Sequence, residues 1–117
     1  AERLTFLHTE ITQVLKQYDI NQMAIEETFV NKNPLSSLKL GHARGALIVS
    51  VSLFGIPVSE YSSTSIKKSI TGVGRANKDQ MMYMIKHILP QSKCKNEDEA
   101  DALSVAICHI NQKCFKI

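Results

Sequence analysis

With 117 residues, 44% of them apolar and 21% charged, the chain is expected to form one soluble globular domain with a real core, and it is too short for two. Its longest apolar stretch, Ala46 to Ile56, is broken by Ser50, Ser52 and Gly55 and falls short of the ~20 residues of a membrane span, which excludes a transmembrane helix. The net charge is +3, yet Lys32 to Lys95 holds ten Lys or Arg against only Glu60 and Asp79, a local +8. Charge is thus segregated into a phosphate-attracting middle with acids on either side.

In chain order, Leu4, Leu7, Ile11, Val14, Leu15 and Tyr18 recur on one helical face and predict an amphipathic helix over 2–18. Gln22 to Glu26 is short, apolar and bounded by Asn21, which predicts a buried strand of a mostly parallel sheet with Glu26 at its far end. Asn31-Lys32-Asn33-Pro34 reads as a loop leading into a long helix over 35–54. Gly41 and Gly45 lie four apart on that helix and imply a close helix contact, and Gly55 ends it. A second strand is expected over 56–61, a short helix over 65–70, and a glycine-loosened loop from Thr71 to Arg75. Asn77 should cap a helix that places Met81, Met84, Ile85 and Ile88 inward, the Met81, Met82 and Met84 group being core filling. The last helix, over 98–112, should bury Ala100, Leu103, Ala106, Ile107 and Ile110. Helices alternating with strands give an α/β architecture.

Cys94, Cys108 and Cys114 form an odd set without a CxxC pair, which points to a reducing cytoplasm. Their spacing with His109 fits no usual zinc site. Ala1 opens directly into helical periodicity with no leader ahead of it, so the chain is expected to begin mid-protein.

Two places carry carboxylates suited to chemistry. Glu26 follows Met23-Ala24-Ile25 at a strand end, where open α/β sheets place binding and catalytic groups. Asp98 and Asp101 stand one turn apart at a helix start, where they either share a divalent cation or, with Asn96 and Glu99, cap the helix and complement its dipole. Within the basic stretch Lys67, Lys68, Arg75 and Lys78 are candidate phosphate contacts, and Arg44 is open to that role or to a subunit contact. His42 reads as an ordinary helix-surface residue and His109 as a satisfied helix histidine rather than a ligand.

A family resemblance rests on blocks that keep one order and spacing along essentially the whole chain. These are Ala24-Ile25-Glu26-Glu27-Thr28-Phe29, Leu38-Lys39-Leu40-Gly41-His42-Ala43-Arg44-Gly45, Glu60-Tyr61, Ile66-Lys67, Gly72-Val73-Gly74 with Lys78, and Asp98-Glu99-Ala100-Asp101-Ala102-Leu103 with His109. In them the chain resembles the RuvC family of Holliday-junction resolvases. The resemblance implies a ribonuclease-H-like fold, a mixed sheet flanked by helices, and a homodimer that cuts paired strands of branched DNA at a four-way junction. It implies two Mg²⁺ per site, with Mn²⁺ as the alternative, and a RuvA-RuvB branch-migration complex as partner. By the same match Glu26, Asp98 and Asp101 are metal ligands, Lys67 and Lys78 stand near the scissile phosphate, and Phe29 stacks on bases.

The family's first strand, with its Gly-Ile-Asp-Pro-Gly type motif and a further carboxylate, has no counterpart before Glu26, and Asp19 is no substitute. The N-terminal strands are therefore expected to be missing, which leaves the strand at 22–26 an exposed edge and the chain able to bind DNA weakly and cut poorly or not at all. The competing reading is a non-cleaving dimeric module for branched DNA, paired through the Gly41-Gly45 helix. A nuclease of the same fold acting on RNA fits the blocks less well.

Overall fold

The computed structural model describes residues 1–27 and 33–114. The elements run α1 (Glu2–Gln17), β1 (Met23–Glu26), α2 (Pro34–Ser52), β2 (Val58–Tyr61), α3 (Ser63–Thr71), α4 (Lys78–Ile88) and α5 (Glu97–Cys114). β1 and β2 pair as a two-stranded sheet. The Met23 N–H donates to the Pro57 carbonyl at 3.0 Å and the Glu27 N–H to the Tyr61 carbonyl at 2.8 Å. Pairing that advances in the same direction on both strands is parallel, and α2 supplies the crossover that parallel pairing requires.

Helix starts follow the side chains that satisfy their first amides. Asn33 accepts from Leu35 and Ser36, so α2 begins at Pro34 with the ring where no intrahelical amide is needed. Ser62 caps α3 by accepting from Ser65. Asn77 and Gln80 exchange bonds in a full capping box on α4. Asn96 accepts from Glu99 at 2.9 Å ahead of α5, and the Glu99 carboxylate accepts from the Lys95 N–H at 2.7 Å. The capping role is thus filled by Asn96 and Glu99.

The fold divides into two compact units, one holding α1 and α2 and the other holding Ala24–Glu27 and Glu60 onward. In the first, α1 and α2 pack on each other, with Leu15, Ser50 and Val51 buried. The buried Ser50 hydroxyl donates to the Ala46 carbonyl at 2.7 Å and shares a 2.7 Å hydrogen bond with His8 Nδ1, so this polar group between helices is satisfied. The close helix contact expected at Gly41 and Gly45 is not made among the described residues. A Cβ at either position would meet nothing within 4 Å, and both glycines face outward together with Leu38, Val49 and Leu53.

In the second unit α3, α4 and α5 pack around Ile66, Val105 and Cys108, with Ala24, Tyr61 and Met81 against them. α5 is turned relative to the expected face. Ala100, Ser104, Val105, Cys108 and His109 are buried, whereas Ile110 is 58% exposed. Two polar residues can occupy the inner face because each is satisfied there: the Ser104 hydroxyl donates to the Ala100 carbonyl at 2.7 Å, and His109 bonds to Tyr61.

α3 ends at Gly72, whose φ of 81° is left-handed and whose N–H closes on the Lys68 carbonyl. Replacing Gly72 with Ala should destabilise the chain by about 1 kcal/mol, because a Cβ is strained at positive φ. Thermal unfolding checks this: the melting temperature should fall, and an unchanged value would contradict the strain.

Candidate active site

Glu26 ends β1, and the strand is held at that point by the Glu27 N–H on Tyr61. Asp101 lies in the first turns of α5. Although 75 residues of sequence separate them, the two acids line one cavity of about 410 Å³. Around them stand Ser63 and Lys67 of α3, Asn77 and Lys78 at the start of α4, and Glu97 of α5. The floor is apolar, with Ile66, Met81 and Ala100 among its members. α5 contributes Glu97, Ala100, Asp101 and Ser104, the i, i+3, i+4, i+7 stripe of one helical face.

Burial raises the Glu26 carboxyl above its ordinary range, and the Asp101 charge adds to this, while Lys67 and a hydrogen bond from Ser63 pull it back. Asp101 is likewise raised, by burial first, with Lys78 opposing and Asp98 and Glu97 adding repulsion. Both carboxyls therefore take up a proton more readily than free ones. Lys78 is held protonated by Glu97, whose carboxylate accepts from it at 2.9 Å on the exposed rim. Two carboxylates that line one cavity and repel each other are what a hard divalent cation with oxygen ligands relieves, so the donor chemistry of Glu26 and Asp101 fits such an ion. Among the described residues, no three His, Cys, Asp or Glu side chains converge on one point.

The other expected site residues are distributed as follows. Asp98 stands in the first turn of α5, off the cavity stripe, and acts on Asp101 and Lys78 through its charge. Lys68, next to Lys67, faces a separate hollow with Ser65, Ser69, Asn111 and Gln112. Arg75 is exposed in the loop between α3 and α4. Arg44 is half-buried on α2 in the other unit. Phe29 lies outside the described residues. Met81 belongs to the core as expected, and with Met82 it also lines the cavity.

Sequence reasoning missed Ser63, Glu97 and Asn77 as cavity residues. Glu97 was legible, since it adjoins the Asp98 run and sits one turn before Asp101. Nothing local marks Ser63 as a partner of Glu26.

The profile described as crossover junction endodeoxyribonuclease RuvC matches residues 1–109. The chain is 47% identical over 109 residues to the crossover junction endodeoxyribonuclease RuvC of Ruegeria pomeroyi, covering 93% of this chain and 66% of that protein. It is 48% identical over 113 residues to the one from Rhodospirillum rubrum, covering 97% and 67%. It thus spans about two-thirds of these relatives' length. A solved structure of T. thermophilus RuvC in complex with a Holliday junction substrate superposes with a TM-score of 0.88 at 29% identity, covering 96% of this chain and 68% of that one. The fold is accordingly ribonuclease-H-like, as the sequence blocks implied. The profile match over most of the chain, the identity to named relatives and the shared fold converge: this chain belongs to the RuvC family of crossover junction endodeoxyribonucleases.

Proposed function

We propose that the protein carrying this chain resolves four-way DNA junctions by paired, divalent-metal-dependent phosphodiester hydrolysis, acting as a homodimer in the cytoplasm alongside a RuvA-RuvB branch-migration complex. One observation carries the reading: Glu26 and Asp101, on different elements, face one cavity whose walls also bear Lys67 and Lys78. The entire chain is read as part of a single ribonuclease-H-like domain.

Glu26 and Asp101, supported by the charge of Asp98, would hold Mg²⁺ or Mn²⁺, which when bound supplies Lewis acidity toward the phosphate and a more acidic water. Ser63 orients the Glu26 carboxylate through its hydrogen bond. Lys67 stabilises negative charge gathering on the phosphorus oxygens. Lys78 reaches the same charge once phosphate replaces Glu97 as its partner. Arg75, Lys68 and Arg44 contribute sequence-independent backbone contacts, and Phe29 offers a stacking face.

A synthetic four-way junction incubated with the complete protein and Mg²⁺ tests this. Symmetric paired nicks that vanish with chelator are expected. Binding without nicking, left unchanged by Asp101→Asn, would replace the enzyme with the non-cleaving junction-binding module.

A further inference from the structure

Tyr61 ends β2 and touches both elements that carry the site acids. Its carbonyl accepts the Glu27 N–H at 2.8 Å, fixing β1 directly beyond Glu26. Its ring packs against Ile66, Val105 and Cys108 of the core. Its hydroxyl is joined to His109 Nδ1 at 2.5 Å, with the rings edge to face at 5.6 Å and 66°. His109 is 8% exposed and sits on α5 eight residues after Asp101. Burial, with Lys113 adding to it, holds the imidazole below its ordinary pKa and so in its neutral form.

A helix moves as a rigid rod over two turns, so fixing His109 fixes the rotation and axial position of Asp101. We propose that Tyr61, acting through His109, is a positioning residue that locks α5 to the β1–β2 edge and so sets the separation of Asp101 from Glu26. The inference rests on the two-carboxylate metal site proposed above. It assigns these side chains the role outer hydrogen bonds have in metal centres generally, which is to hold ligands in place without touching the ion. The arrangement exceeds what packing needs, because a phenylalanine would fill the same space without the bond.

The test uses Tyr61→Phe, His109→Leu, their double variant, and His109→Asn, whose amide presents a polar atom near the position of Nδ1. Mn²⁺ affinity of the complete protein is read by electron paramagnetic resonance, beside metal-free junction binding and nicking at saturating metal. Tyr61→Phe should weaken Mn²⁺ binding about tenfold, with junction binding and nicking at saturating metal unchanged. The double variant should lose no more than the single ones, and His109→Asn should recover most of the affinity. Parental Mn²⁺ affinity in Tyr61→Phe, or additive losses in the double variant, would overturn the positioning role alone. A parent protein that binds no Mn²⁺ would overturn the metal site, and this role with it.

Discussion

Asp101→Asn in the complete protein should cut junction nicking by about 10³-fold or more while junction binding persists, since it would remove an anionic ligand of the proposed metal and leave the cationic surface intact. The same change should raise thermal stability at neutral pH. Asp101 is raised above its ordinary value by burial and by Asp98 and Glu97, so the folded state binds more protons than the unfolded state between those two values. Stability therefore declines as pH rises through that window, and above it the charged carboxylate is a standing cost that a neutral amide removes. Because the side chain is exposed, the gain should be modest, about 1–3 °C in melting temperature. Melting curves from acid to neutral pH check the sign: a variant less stable than the parent at pH 7 would show that Asp101 is structural rather than strained for function.

Neighbouring lysines should part company. Lys67→Met should lower nicking about 10²-fold, because it removes positive charge from the cavity wall beside Glu26. It should also push the Glu26 carboxyl further up, since the Lys67 charge is one of the two influences that hold it down. Lys68→Met alters a different hollow and should leave the rate of nicking untouched, weakening junction binding and reducing the salt-dependence slope by about 1. Single-turnover rates with bound junction separate the two effects. Equal loss of rate in both variants would refute the distinction between the cavity-facing and outward faces of α3.

The order of helices and strands was legible because it depends on short-range chemistry. Apolar periodicity marks α1, β1 and α4, and the cap at Asn77 is a side-chain-to-backbone bond made within three residues of itself. Gly55, with φ 73°, stops the run after α2 as expected. Strand ends shifted by up to two residues, since pairing in a sheet is decided by the partner strand. The inner face of α5 was misjudged because hydropathy ranks Ile110 above Ser104 and His109, whereas burial of a polar group depends on whether a partner waits inside. That partner, Tyr61, is 48 residues away.

By itself the sequence determined the family blocks, the cationic middle, and the placing of Glu26 at a strand end and of the Asp98–Asp101 run at a helix start. These follow from residue type and local spacing. Only tertiary structure decided that Asp101 and Glu97 face the cavity while Asp98 flanks it, that Lys67 joins them and Lys68 does not, and that Gly41 and Gly45 meet no close neighbour among the described residues. The reason is geometric: spacing along a helix fixes which side chains share a face, but the direction of that face is set by the net gain from burying it against other elements.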